Sequence, residues 1–169
     1  EKEIDKKEAE LDEKCLQMIA LQQPLADDLR RIAAIIKMIS DLERIGDLSE
    51  NIAEIVVRIG KEEFIKPLVD IPKMAEITKE MIKSALDCFV KEDIRLAYKV
   101  FTMDDIVDSI YKEIYMELLY MISKNGKIIN QAIELLFIGR YLERIADHAT
   151  NICENVNYMV TGNKKFNIK

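Results

Sequence analysis

The sequence predicts an all-α fold: a tandem repeat of two three-helix bundles, with the first helix of the first repeat absent from this chain. Three observations carry this expectation. Helix breakers are scarce, at 5 Gly and 3 Pro among 169 residues, too few turn-formers for a many-stranded sandwich or barrel. Apolar residues return every three or four positions, which is the period of a helix with one buried face. Finally, one segment recurs. Leu42-Glu43-Arg44-Ile45-Gly46-Asp47-Leu48-Ser49-Glu50-Asn51-Ile52 and Leu142-Glu143-Arg144-Ile145-Ala146-Asp147-His148-Ala149-Thr150-Asn151-Ile152 are identical at seven of eleven positions, at an offset of one hundred.

Five helices follow in order. Residues 1–20 carry Ile4, Leu11, Cys15, Met18 and Ile19 on one side among charges. Gln22-Gln23 breaks the pattern, and Pro24 suits a first helical turn. Leu25, Leu29, Ile32, Ile36 and Ile39, then Leu42, Ile45, Ile52, Ile55 and Ile59, extend one stripe to a stop at Gly60. That rod is about 52 Å long at 1.5 Å per residue, a length suited to an elongated bundle. Residues 60–71, with Pro67 and then Pro72 beside them, read as a linker. A third helix spans about Pro72 to Val90. Lys91-Glu92-Asp93 is a short break in which Asp93 can cap the next helix. The fourth helix ends near Ser123, before Asn125-Gly126, and the fifth runs from about Ile128 to Met159.

The helices preceding the repeated segment also align, at an offset of 103: Glu1, Ile4 and Asp5 fall on Asp104, Val107 and Asp108. The chain therefore divides into two copies of one unit, residues 1–66 and 67–169. The second copy has three helices (72–90, 93–123 and 128–159) and the first has two. A whole helix and the opening turns of the next are expected upstream of Glu1.

Composition narrows the function classes. Hydrophobic residues at 49% and charged residues at 33% give a core and a wetted surface, which excludes wholesale disorder. A net charge of −6 without a Lys/Arg cluster offers nucleic acid no basic footprint. No run of about 18 apolar residues exists to span a membrane, and no secretory signal opens the chain. Cys15, Cys88 and Cys153 are odd in number and far apart, which suggests a reducing cytoplasm and packing as small hydrophobes.

The chemistry lies in acids placed where apolar residues belong. Ile36 plus seven is Glu43, Ser40 plus seven is Asp47, and Leu136 plus seven is Glu143. Two turns along a helix face return to the same environment, so Glu43, Asp47 and Asn51, and likewise Glu143, Asp147 and Asn151, lie near an inner face. Glu1/Asp5 and Asp104/Asp108 repeat the four-residue spacing on the partner helices. Unpaired buried carboxylates are costly. Arg44 and Arg144 compensate in part, and one multivalent cation accepting oxygens from two helices compensates better. The all-oxygen set Glu1, Asp5, Glu43, Asp47, Asp104, Asp108, Glu143 and Asp147 favours a hard ion: Fe(III), Mg, Mn or Ca, with Zn less suited. His148, the single histidine, has Leu48 as its counterpart and so stands outside a symmetric site.

The paired LERIxD segments, with Gln22-Gln23-Pro24-Leu25-Ala26-Asp27-Asp28-Leu29-Arg30 upstream of the first, resemble the PhoU family over essentially the whole chain. The resemblance implies two three-helix bundles in tandem. It also implies a metal-binding E(D)xxxD motif, falling here on Glu1/Asp5, Glu43/Asp47, Asp104/Asp108 and Glu143/Asp147. By the same resemblance the protein is a negative regulator of phosphate uptake and of the phosphate-starvation response. It would link the phosphate ABC transporter ATPase to a sensor histidine kinase, in the cytoplasm and peripheral at the membrane face. A homodimer is compatible with the sequence. Leu48, where the family often has His after the motif Asp, and Glu1, at the chain end, depart from the pattern.

Two other readings compete. A carboxylate-bridged di-metal enzyme of the ferritin-like kind uses Glu-x-x-His on two helices. Here Ile145 stands three before His148, and no nucleophile pair or glycine-rich phosphate loop is present, so no catalytic residue is expected. A metal-free structural module would rely on Arg44 and Arg144 alone.

Overall fold

Where the sequence loses its period, the backbone turns. The computed structural model describes residues 2–163 and 166. They form α1 (Lys2–Gln22), α2 (Ala26–Ile59), α3 (Asp70–Lys91), α4 (Arg95–Lys124), a 3-10 turn over Gly126–Ile128, and α5 (Ile129–Thr161), with no strand among the described residues. Between α1 and α2, Gln23 takes a positive φ of 46° and Leu25 is extended. This starts α2 after Pro24 rather than on it. Asp27 and Asp28 then occupy its first turn, where the helix dipole favours negative charge.

Gly60 ends α2 as expected, with φ 60° and its amide donating to the Val56 carbonyl at 3.0 Å. That conformation is costly for a residue with a Cβ. α3 begins at Asp70, ahead of Pro72. Proline sits without penalty in a first turn, because the amide it lacks would have no partner there. Glu92 closes α3 at φ 50°. Asp93 does cap α4: its Oδ1 accepts the Arg95 amide at 3.0 Å and its carboxylate also takes the Arg95 guanidinium. Those bonds, the guanidinium first, pull its pKa down to about 2.

α3, α4 and α5 pack against one another as a closed three-helix bundle. Met74, Met81 and Cys88 of α3, Val100, Val107 and Leu118 of α4, and Leu135, Ile152 and Val156 of α5 are almost wholly buried in it. Among the described helices, α1 packs on α2 alone, through Cys15, Ile32 and Ile39. α2 crosses to the second unit along α5. The two rods run antiparallel: Arg58 near the end of α2 forks onto Glu134 near the start of α5, at 2.9 and 3.2 Å.

The duplication explains what α1 and α2 leave bare. Ile4 and Leu11 are 39% and 41% exposed, whereas Val107 and Ile114, 103 positions on, are 0% and 1% exposed because α3 covers them. A groove of about 860 Å³, lined by Ile4, Leu11, Ile39, Leu42, Ile45 and Gly46 among others, occupies the place in the first unit that α3 fills in the second. Gly46 lies against the tip of the Ile4 side chain, which a Cβ there would displace.

The linker is pinned at two points, by Lys66 pairing with Glu117 of α4 and with Asp70, and by Gln131 just before it. Gln131 of α5 accepts the Ile65 amide at 2.7 Å and donates to the Glu63 carbonyl at 3.1 Å. Gln131→Leu leaves both backbone groups without a partner. It is expected to cost about 1–3 kcal/mol, seen as a lower melting temperature with faster amide exchange confined to residues 60–69. Unchanged exchange there would mean the linker is held by Lys66 and its apolar contacts instead.

Candidate metal centre

The acids picked out by the repeat gather at two places, one in each unit. In the first, Asp5 of α1 meets Glu43 and Asp47 of α2, with one oxygen from each within 4.8 Å of the others. Glu1 lies outside the described residues. Burial raises the Glu43 pKa, and the charge of Asp47 raises it further. Arg44 opposes this, with Nε 3.4 Å from Glu43 and Nη1 3.4 Å from Asp47. Its side chain is largely exposed, so solvent weakens the compensation.

The inner face of α1 carries more acid than the repeat alone suggests. Glu8 also raises the Glu43 pKa and accepts the Ser40 hydroxyl at 3.5 Å. Asp12 has a buried oxygen with no hydrogen-bond partner, and its charge adds to the burial that pushes the Cys15 thiol up. Asp5, Glu8 and Asp12 step by three and four, so this stripe was legible. The second unit has Tyr111 and Tyr115 at the positions matching Glu8 and Asp12, so the repeat does not single them out.

In the second unit, Asp104 and Asp108 of α4 face Glu143 and Asp147 of α5. Burial, then the charges of Asp108, Asp147, Asp105 and Glu143, push the Asp104 carboxyl up to about 6. Glu143 and Asp147 are raised as well, burial again leading. One oxygen of Asp104 and one of Glu143 are buried without a hydrogen-bond partner. An orphaned buried carboxylate oxygen is a cost that a cation or a proton removes. Among the described residues, the second cluster does not reach the close spacing of the first.

The second cluster's cationic partner is not the one expected. Arg140, rather than Arg144, holds Glu143, with Nη1 2.5 Å from Oε1, and it is the leading opposing charge on both Glu143 and Asp147. Ser40 stands at the equivalent place in the first unit. His148 turns away from the acids of its own unit: its Nδ1 lies 2.9 Å from Asp41 Oδ1 on α2.

The donors fit a hard cation: every converging atom is a carboxylate oxygen, and each cluster has more acids than bases. The chain as a whole is similar to known proteins. The family model described as the PhoU domain matches residues 1–56 and 71–156. The chain belongs to the PhoU family. It is 41% identical over 160 residues to a phosphate-specific transport system accessory protein PhoU homolog of Clostridium acetobutylicum, covering 94% of this chain and 73% of that one. To the homolog from Deinococcus radiodurans it is 36% identical over 165 residues, covering 98% and 78%. Among solved structures, PhoU from Pseudomonas aeruginosa superimposes with a TM-score of 0.92 at 35% identity, over 96% of this chain and 78% of that one. The phosphate transport system regulatory protein PhoU from Streptococcus pneumoniae gives 0.87 at 27%, over 96% and 76%. These matches agree with the all-helical repeat fold. No helix among the described residues is long and apolar enough to cross a membrane.

Proposed function

We propose that this PhoU-family chain is a metal-binding regulatory adaptor of phosphate transport. It acts as a negative regulator of phosphate uptake and of the starvation response, linking the phosphate ABC transporter ATPase to a sensor histidine kinase at the cytoplasmic face of the membrane. The observation that carries the phosphate reading is its likeness, along nearly its whole length, to accessory proteins of phosphate-specific transport. Its mechanism is binding. Two helical units present long faces to partners, and the acid clusters set how firmly α1 holds α2 and α4 holds α5.

The metal part of the reading rests on the acids. Asp5, Glu43 and Asp47 would hold one ion, joined by Glu1 according to the motif, and Asp104, Asp108, Glu143 and Asp147 another. When bound, such an ion supplies positive charge that draws carboxylates of neighbouring helices together. Fe, Mg, Mn, Ca and Zn are the candidates.

Elemental analysis of protein purified without chelator, followed by Mn(II) titration of the stripped protein, tests this part. Saturable binding to both clusters is expected. Protein without metal that takes up no Mn(II) would favour a metal-free module in which Arg44 and Arg140 are the counter-charges. Co-purification with the transporter ATPase and the kinase tests the adaptor part. The ferritin-like alternative is weakened because Ile145, not Glu, stands three before His148. Oxygen uptake with Fe(II) would revive it.

A further inference from the structure

The first unit reaches the second mainly through one helix pair, α2 on α5. Midway along that pair a carboxylate is held across the boundary. Asp41 of α2 accepts from His148 Nδ1 at 2.9 Å, from Asn151 Nδ2 at 3.4 Å and from Asn155 Nδ2 at 3.5 Å. The three donors share one face of α5, and both Asp41 and His148 are largely buried, their side chains 14% and 17% exposed.

Most of this contact has no counterpart in the duplication. One hundred positions from Asp41 stands Tyr141, and the counterparts of His148 and Asn155 are Leu48 and Ile55. The clamp therefore belongs to the junction between the units rather than to the repeated unit itself. A buried charge on one rod satisfied only by the other fixes their relative rotation, because slippage would strand it without partners.

Its position relative to the acids gives that fixity a consequence. Asp41 stands two residues before Glu43, and His148 directly follows Asp147. On α5, Glu143 and Asp147 face α4 while His148, Asn151 and Asn155 face α2. A cation drawing Glu143 and Asp147 toward Asp104 and Asp108 shifts α5. With the clamp closed α2 must follow, and it carries Glu43 and Asp47 relative to Asp5.

We propose that Asp41, gripped by His148, Asn151 and Asn155, is a positioning residue that couples cation binding in one unit to cation binding in the other. This rests on the metal reading above. Mn(II) alone is the probe, on the full chain, with first-unit affinity measured by equilibrium dialysis and by electron paramagnetic resonance of the bound ion. Removing the second unit's ligands with Asp104→Asn and Glu143→Gln is expected to change first-unit affinity about fivefold or more, the lower end of ordinary coupling. In a background carrying Asp41→Leu and His148→Leu, an apolar pair like that supplied by Leu48, the same removal is expected to change it less than about twofold, within what uncoupled sites show. In the parent background, His148→Asn, which keeps a donor near the Nδ1 position, is expected to retain the coupling. If the double leucine variant does not fold, His148→Leu alone takes its place: coupling undiminished in that variant overturns the clamp. Equal changes in clamped and unclamped backgrounds, or none in the parent, overturn the proposal while leaving the metal sites standing. No saturable Mn(II) binding in the parent overturns both.

Discussion

Stripped of metal and held at pH 7, the Asp104→Asn variant should be more stable than the parent by about 2 kcal/mol, a melting-temperature gain of roughly 4–8 °C for a chain of this size. At pH 4 the two should melt together. Asp104 sits at about 6 in the folded chain, against an ordinary value of 3.8. A carboxyl that holds its proton better folded than unfolded favours folding fully below its unfolded pKa, and loses that contribution as the pH rises through its folded one. The window is therefore about pH 4 to 6. Asparagine keeps the shape and discards the charge, so it removes the penalty only where the parent is ionised. The full shift converts to about 3 kcal/mol; partial exposure of the site reduces it toward the figure given. Adding Mn(II) at pH 7 should reverse the order, because the parent gains a ligand-linked term that the variant lacks. Coincident melting curves at pH 7 would mean that Asp104 is already relieved by solvent.

The second large effect is on metal content. Glu43→Ala combined with Asp47→Ala should lower the first unit's affinity for Mn(II) by about a hundredfold or more, since even outer-shell changes cost 10–100-fold. The second unit should keep its ion and its fold. Total metal after dialysis then falls by the first unit's share. Full occupancy in the double variant would dismiss the first-unit site outright. A second-unit affinity changed about fivefold alongside it is the reciprocal effect that coupling through the α2–α5 boundary requires.

Both predictions come from residues the sequence singled out, and the reason is physical. A helix buries one stripe, so Ile36, Glu43 and Leu136, Glu143 announce their misplaced charge through spacing alone. The same periodicity yields five helices with ends correct to a few residues. It gives each side chain's angle on its own helix but not the identity of the neighbouring helix. Arg140 is one turn from Glu143 and Arg144 is beside it, and only the packing of α5 decides which guanidinium reaches the acids. His148 and Asp41 are 107 positions apart, and no local pattern joins them. Gln131 lies in an ordinary helical context, and its grip on Glu63 and Ile65 depends on where the linker passes. The bare groove was implied by the count of helices per repeat, and the burial of Val107 against the exposure of Ile4 gives it a location.

The rods α2 and α5 are each about 50 Å long at 1.5 Å per residue, and they are joined near the middle by Asp41. A rod that tilts about its centre moves most at its tips. A tilt of roughly 5° about that pivot, over an arm of about 25 Å, would carry each tip some 2 Å, enough to make or break a docking contact that a distant molecule senses.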